Sequence, residues 1–262
     1  MKSKTYWKQR AEDNVKHADK LTDKALKREQ KLYRDTYKKV QAKIDDIYNH
    51  FLAEGEISTT KLYQYGKWQN LQRELQRDIQ GLGQEQLNFM QTHLEQIYQE
   101  TLGRTSSELG QSIRFGASQK RQMQNVLQKN WSGKSFSTRI WDNTSKLASQ
   151  VQKTIIDNVS MGRGKDYLIK DLTTRFNVGY SDAERLARTE TMYVTNQSQA
   201  EGYKEAGITK YEFLAEIDDV TSEECDDLNG QIFNFDEMIV GENYPPIHPN
   251  CRSTVIPVTD LY

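Results

Sequence analysis

Proline is confined to the C-terminal end of this 262-residue chain: the four prolines are Pro245, Pro246, Pro249 and Pro257. A proline inside a helix costs about 3 kcal/mol or more, so its absence from the rest of the chain permits long helices. Leu, Ile, Val and Phe make up only 55 of the 262 residues, which favours thin amphipathic helices over a thick apolar core. The proline distribution therefore predicts a mainly helical chain.

The first 50 residues carry apolar side chains at the spacing of one helix face. Steps of three or four residues separate most of them, from Trp7 through Val15 and Val40 to Phe51. A helix of that length is about 67 Å long and needs a partner along its apolar seam. The sequence therefore predicts an elongated helical N-terminal region that packs on other helices or on a second copy of the chain.

Glycine and capping residues indicate where these helices break. A stop at Gly55 and an N-cap at 58–60 predict a second helix, which we expect to end at 81–83. The next helix is expected to end near Gly103, and residues 104–120, rich in Gly and Ser, to form a flexible connection.

Helical spacing resumes in the second half of the chain. Gly162 and Gly207 are predicted C-caps, and the S-x-x-E pattern at 181–184 predicts a helix start between them. Beyond Gly207 the pattern is that of short strands, with a turn signal at 228–230. The three β-type runs are residues 210–215, 231–235 and 255–258.

These elements predict a mainly α fold with a small α+β C-terminal end: long amphipathic N-terminal helices, then a helical bundle capped by a short antiparallel β element. The expected domains are an elongated helical region (1–103), the flexible connection (104–120) and a C-terminal domain (121–262). No apolar run approaches the ~20 residues of a membrane span, and the basic N-terminus lacks the apolar core of a signal peptide. We therefore expect neither a membrane span nor Sec export.

Charge is divided along the chain, although the total is only −1. Residues 1–50 carry 14 Lys and Arg against 8 Asp and Glu, while residues 207–262 carry 2 against 12. The N-terminal lysines could contact DNA phosphates without sequence preference. Acidic residues interleave with them, however, which is more typical of a solvated helix face held by i, i+4 pairs. Both interpretations stay open.

Four stretches of the C-terminal half occur in a recognisable order. They are residues 131–140 (WSGKSFSTRI), 187–191 (ARTET), 225–230 (CDDLNG) and 245–252 (PPIHPNCR). Together they resemble the phage Mu F-like head morphogenesis family, the minor capsid proteins of tailed phages. The resemblance covers roughly residues 131–258, about half of the chain, and residues 1–130 fit the variable helical part of that family only loosely.

The resemblance implies a cysteine knuckle from which this chain departs. Members often carry C-x-x-C before the turn and C-R-C after H-P-N, but Ser222 and Ser253 replace two of those cysteines here. Cys225, His248 and Cys251 remain as zinc ligands, with water or a nearby aspartate as the fourth. Three states stay open: a zinc ion, a Cys225–Cys251 disulfide, and a metal-free packed turn, which the missing cysteines favour. No other cofactor is expected.

Arg188, Glu190 and Asn196 lie in the predicted helix that contains the ARTET stretch. An arginine beside a carboxylate could act in ADP-ribosyl transfer, yet no nucleotide-binding motif or catalytic partner accompanies the pair. We expect instead a structural polar network that fixes this helix against the β end.

A metal-dependent nuclease centred on His248 is also disfavoured. Such a site needs a general base beside a metal held by carboxylates or histidines. The other three histidines, His17, His50 and His93, fall on predicted polar helix surfaces.

The sequence-based hypothesis is therefore a structural protein and not an enzyme. By resemblance it is a minor capsid protein that associates with the portal protein and other capsid or scaffolding proteins, and contacts or accompanies the DNA. This implies a location in the capsid interior of the virion, and in the host cytoplasm during assembly, with self-association through the N-terminal helix. The alternative is a DNA-packaging accessory or a toxin-delivery adaptor, because Mu F-like regions also occur in polymorphic toxins; a toxin would need a catalytic domain beyond Tyr262.

Overall fold

The computed structural model describes residues 2–53, 60, 66–112 and 114–259. Within these residues the chain forms six α-helices and one small antiparallel sheet, which confirms the predicted fold class. The helices are α1 (Lys4–Ala53), α2 (Lys67–Glu108), α3 (Ala117–Gln128), α4 (Phe136–Ser160), α5 (Lys165–Glu205) and α6 (Glu223–Leu228). No helix of the described ranges is both long and apolar enough to span a membrane. The predicted stop at Gly55 lies outside the described residues.

The sheet has the strand order β2-β1-β3, with both pairs antiparallel. Its strands are β1 (Lys210–Leu214), β2 (Ile232–Asn234) and β3 (Thr254–Val258). All three lie within or next to the predicted β-type runs. The register pairs Tyr211 with Phe233 on one side and with Pro257 on the other. The predicted turn at 228–230 is formed around Gly230, whose φ is 80°.

The chain divides into two compact units, each built from separate segments. The sheet unit consists of Met1–Ala25, Met90–Phe136 and Arg185–Tyr262, and the helical unit of Leu26–Phe89 and Ser137–Glu184. Each domain expected from the sequence is one continuous stretch of the chain. The expected domains therefore contain different sets of residues from these two units. Whether 1–103 and 121–262 behave as domains stays a prediction.

The helical unit has a continuous apolar core from α1, α2, α4 and α5. Its most deeply buried members include Val40, Ile44, Leu75, Val151 and Leu172. The spacing of three or four residues between apolar side chains predicted that they share one face of each helix, and the structure buries that face.

Helix α2 does not end at 81–83, so this prediction was wrong. A glycine in a helix interior costs only about 1 kcal/mol, which packing can offset. At Gly83 the reason for glycine is close approach: a Cβ there would lie 3.0 Å from Thr144 Oγ1 and 3.0 Å from the Trp141 ring. The helix also continues past Gly103 to Glu108, and the next helix begins at Ala117, so the connection between them is shorter than the expected 104–120.

The S-x-x-E pattern at 181–184 does not begin a helix either, because α5 runs through it without a break. The Ser181 hydroxyl donates to the carbonyl of Asn177, one turn back, at 3.0 Å, and so does not cap an N-terminus. The two predicted C-caps are confirmed: Gly162 and Gly207 have φ of 62° and 78° and follow the ends of α4 and α5.

In the sheet unit, the start of α1 packs on the sheet. Trp7 and Ala11 form a buried cluster with Leu214 and Ile256. Lys4 Nζ lies 2.7 Å from Oε1 of Glu212, a buried carboxylate on β1. The part of α5 from 189 to 203 is buried nearly all around, which makes it the central helix of this unit.

Candidate metal site and its support on helix α5

Cys225, His248 and Cys251 come together in the sheet unit. One donor atom from each lies within 4.8 Å of the others. Cys225 Sγ is 3.4 Å from His248 Nε2 and 3.7 Å from Cys251 Sγ. Both cysteines are buried free thiols, packed with Phe213, while His248 is half-buried.

Helix α6 positions Cys225. Ser222 is the N-cap, and its hydroxyl accepts a hydrogen bond from the Cys225 N–H at 3.3 Å. Ser, Thr, Asp and Asn are favoured at this position because they satisfy an otherwise unpaired N–H of the first turn. Ser222, one of the two serines that replace a family cysteine, therefore acts as a cap for this short helix.

A tight turn holds the other two donors. The Cys251 N–H donates to the His248 carbonyl at 3.1 Å, and Asn250 adopts a φ of 60°, which Asn tolerates better than most residues. His248 Nδ1 lies 2.9 Å from the carbonyl of Pro249. Because only an N–H can donate to that carbonyl, the neutral ring carries its proton on Nδ1, and Nε2 faces the thiols with a free lone pair.

The two thiols are electrostatically unequal. The hydrogen bond from Cys225 lowers the pKa of Cys251; burial opposes this, and hydrogen bonds from Ser253 and from the backbone of Ile247 lower the pKa further. The same Cys225–Cys251 hydrogen bond raises the pKa of Cys225.

Two of the three donor separations match a tetrahedral zinc ion. With Zn–S near 2.3 Å and Zn–N near 2.0–2.1 Å, tetrahedral edges are about 3.8 Å between sulfurs and about 3.5 Å between sulfur and nitrogen. The observed separations of 3.7 and 3.4 Å are close to these values, while the donors of His248 and Cys251 lie within 4.8 Å of each other. Among the described residues no carboxylate joins the group, so an aspartate is not in place as the fourth ligand. Asp218, an aspartate that precedes α6, pairs with Arg252.

Thr189 of α5 supports the histidine turn. Its hydroxyl accepts a hydrogen bond from the Asn250 N–H at 3.0 Å and donates to the Arg185 carbonyl at 2.7 Å. Thr189 lies between Arg188 and Glu190 in the ARTET stretch, and its type alone does not indicate this role.

The residues predicted to form a polar network each have a distinct partner. Arg188 lies 3.1 Å from Asp23 of α1, and buried Glu190 accepts a hydrogen bond of 3.2 Å from the indole of Trp131. The same indole stacks on Tyr193, with ring centroids 4.9 Å apart. These contacts bind α5 to other parts of the sheet unit.

Asn196 makes the predicted contact with the β end. Its Nδ2 donates to the Ser253 carbonyl at 3.2 Å, and its own carbonyl accepts a hydrogen bond of 2.6 Å from the hydroxyl of Tyr244. One turn further along, Gln199 accepts a hydrogen bond of 2.9 Å from Thr254 of β3. Helix α5 therefore holds the segment that follows Cys251 at two successive residues, Ser253 and Thr254, and also holds Tyr244 before it.

The prediction that His93 lies on a polar helix surface was wrong. It is buried, and its Nε2 lies 3.1 Å from the Thr191 hydroxyl and 3.3 Å from that of Thr22. Burial lowers the pKa of His93 to about 4, so the ring is neutral near pH 7. His17 is half-buried, 2.5 Å from Glu100, and the side chain of His50 lies outside the described residues.

The four stretches that carry the family resemblance thus meet in space. Trp131 of the first contacts Glu190 of the second, Thr189 of the second contacts Asn250 of the fourth, and Cys251 of the fourth contacts Cys225 of the third. The signal for the buried part of α5 was present in the sequence: residues 191–200 contain no charged side chain, in a chain that is 28% charged.

Comparison with known protein families takes in the second, third and fourth of these stretches. Residues 149–256 match the family model described as Phage Mu protein F like protein. One curated relative, the NAD(+)–arginine ADP-ribosyltransferase EFV of Enterococcus faecalis (strain ATCC 700802 / V583), is 31% identical over 142 residues. That match takes in 49% of this chain and 29% of the relative, so the chain spans less than a third of its length. No solved structure matches. Residues 149–256 of this chain are therefore similar to the Phage Mu protein F like family.

Proposed function

We propose that this protein is a minor structural component of the phage head that binds the portal and other capsid or scaffolding proteins in the capsid interior. The observation that carries the proposal is the meeting of the four Mu F-like stretches around α5. Hydrogen bonds and one pair of stacked rings join them, and the polar groups of α5 hold neighbouring segments. Such an arrangement suits a scaffold more than a reaction centre, because Arg188 pairs with Asp23 and Glu190 accepts a hydrogen bond from Trp131.

The N-terminal part of α1 supplies the surfaces for assembly. Its exposed lysines could contact DNA, and its interleaved acids limit that contact to weak, sequence-independent binding. Self-association through α1 is part of the same proposal.

Purified phage heads test this proposal. The phage that encodes the protein is grown with an epitope-tagged copy, its heads are treated with DNase and isolated on a gradient, and the tag is located by cryo-electron microscopy. We expect the protein inside the head, next to the portal. Heads that are complete yet lack the protein would contradict the proposal. A Trp131→Ala variant, which loses both the Glu190 hydrogen bond and the Tyr193 stack, should be incorporated less.

We further propose that Cys225, His248 and Cys251 hold one zinc ion, with water as the fourth ligand. The support is the donor geometry and the Nδ1–H contact to Pro249, which directs Nε2 toward the thiols. Zinc would cross-link α6 to the histidine turn. With three protein donors instead of four, the ion should be held less tightly than in a four-cysteine site.

Metal analysis of the purified protein tests the zinc proposal. We expect about one zinc per chain after purification without chelator, and a thiolate charge-transfer band when cobalt replaces zinc. Cys225→Ser should lose both signals, whereas Asp226→Asn, a change in the same helix, should keep them. Equal metal content in the wild type and in Cys225→Ser would refute the proposal.

A second candidate function is favoured by the ADP-ribosyltransferase relative. In this alternative the chain corresponds to the delivery part of a toxin-type protein, with transferase activity residing outside the matched region. Incubation of the purified chain with labelled NAD+ and an arginine-rich acceptor should then yield no labelled acceptor, as in the head-protein proposal. Recovery of the tagged chain from target cells, and not from phage heads, would favour the toxin-delivery function.

A further inference from the structure

Glu29 of α1 and Gln86 of α2 face each other inside the helical unit. Both side chains are fully buried, and Gln86 Nε2 donates a hydrogen bond of 2.6 Å to Glu29 Oε1. The other two polar atoms of the pair, Glu29 Oε2 and Gln86 Oε1, are buried and have no hydrogen-bond partner among the described residues. If Glu29 were ionised, both of these atoms would be acceptors, and neither could satisfy the other.

A single proton removes this conflict. A protonated carboxyl group has an O–H donor, and the amide oxygen of Gln86 is the acceptor that lacks one. The carboxyl and amide groups are both planar forks, so two parallel hydrogen bonds can join them. We propose that Glu29 is a neutral carboxylic acid that donates to Gln86 Oε1, and that this pair is a proton-controlled latch between α1 and α2.

The surroundings of Glu29 favour the neutral form. Burial raises the pKa of its carboxyl to about 7, the hydrogen bond from Gln86 lowers it, and the carboxylate of Glu184 on α5 raises it. On α1 itself, Tyr33 lies one turn further along, and its own pKa is raised by burial and by Glu29. The nearest basic residue in sequence, Arg28, lies over the ring of Phe89, with its guanidinium 5.2 Å from the ring centre.

Two acidic residues of α5 act on this part of α1. Asp182 contributes to the raised pKa of Tyr33 and lies 3.6 Å from Nζ of Lys146. The charge of Glu184 raises the pKa of Glu29.

The sign of the pH effect follows from proton linkage. Between pH 4.5, the ordinary Glu value, and about 7, the folded protein keeps a proton on Glu29 that the unfolded chain releases. The ratio of folded to unfolded protein should therefore fall by up to about tenfold for each unit that the pH rises in this window. Loss of the proton removes the second hydrogen bond and leaves a buried charge beside Glu184.

The test is denaturant unfolding of the full chain from pH 5 to pH 8, for the wild type and for Glu29→Gln. The glutamine is neutral, keeps the planar fork and can donate to Gln86 Oε1, so its stability should lack the Glu29 contribution. We expect the wild-type ratio of folded to unfolded protein to fall relative to Glu29→Gln by about two orders of magnitude across this range. Glu74→Gln, which changes an exposed carboxylate in the same unit, should keep the wild-type slope. Identical pH slopes in the wild type and Glu29→Gln would overturn the proposal.

A direct measurement on the wild type keeps the test decisive if Glu29→Gln folds poorly. Carbon NMR of glutamate labelled at the side-chain carboxyl should show two carboxyls that titrate near pH 7, since the pKa of Glu108 in the sheet unit is also raised to about 7. Glu108→Gln should remove one of these signals and leave the other. If no carboxyl titrates near pH 7 in Glu108→Gln, a protonated Glu29 is refuted.

Discussion

A single hydroxyl group joins helix α5 to the turn that carries two of the three candidate metal donors. The Thr189 hydroxyl accepts a hydrogen bond from the N–H of Asn250, the residue with the left-handed backbone between His248 and Cys251. The same hydroxyl donates to the carbonyl of Arg185 in the preceding turn of the helix, so its direction is fixed. At the scale of one residue, the position of the turn therefore depends on one oxygen of the ARTET stretch.

Replacement of Thr189 by valine should therefore loosen the turn while keeping the shape of the side chain. We expect a loss of about 1 kcal/mol in the free energy of unfolding, the usual net contribution of one hydrogen bond. Amide exchange at Asn250 should become faster. Thr189→Ser, which keeps the hydroxyl, serves as the control and should retain slow exchange; equally fast exchange in both variants would contradict the assignment.

At the scale of elements, Gly81 and Gly83 of α2 differ in how closely neighbouring side chains approach them. A Cβ at Gly83 would meet Thr144 and Trp141 of α4 at 3.0 Å, whereas a Cβ at Gly81 would meet nothing within 4 Å. The sequence shows both as breaks, because glycine lowers helix propensity wherever it stands. Only the packing partner separates a glycine that allows close helix approach from one that is merely tolerated.

This difference gives a matched pair of substitutions. Gly81→Ala should raise the free energy of unfolding by about 0.5–1 kcal/mol, since alanine restricts the unfolded chain and fits the helix. Gly83→Ala should lower the same quantity, because the new methyl group pushes α4 away from α2. Thermal unfolding of the two variants beside the wild type measures both signs, and stabilisation by Gly83→Ala would show that the helices are not in close contact there.

The sequence was informative where apolar spacing or turn chemistry decided the structure. The core faces of the helical unit, the three short strands, the caps at Gly162 and Gly207, and the meeting of Cys225 with His248 and Cys251 all agree with expectation. The predictions failed where tertiary contacts override local preference. Helix α5 continues through the 181–184 pattern because its flanks pack against neighbouring helices, and His93 is buried because Thr22 and Thr191 satisfy it, which a polar helix pattern cannot show.

At the scale of the whole molecule, the connection between α2 and α3 and the junction between α5 and β1 should differ in protease sensitivity. The described residues of this connection, 109–112 and 114–116, lack helix and are mostly exposed. The junction at Gly207 is held by a hydrogen bond of 3.0 Å from the Ile208 N–H to the Tyr203 carbonyl, and β1 begins three residues later. In limited proteolysis we therefore expect cleavage within 109–116 before cleavage at 206–209.

Mass spectrometry of the first fragments checks this order. We expect a fragment that retains residues 181–258 intact. Early cleavage at Gly207 would show that α5 and the sheet are not one cooperative piece. The elongated form expected for residues 1–103 stays a prediction that small-angle scattering can address.

The buried cluster of Trp7, Ala11, Leu214 and Ile256 has a consequence for biosynthesis. The first turns of α1 leave the ribosome long before the strands that cover them, since about 200 residues separate Trp7 from Leu214 and more separate it from Ile256. Contacts so distant along the chain close slowly, and apolar surface stays exposed to other molecules in the meantime. While the intervening residues are translated, the apolar face of the nascent N-terminal helix is therefore open to a chaperone or to a temporary partner.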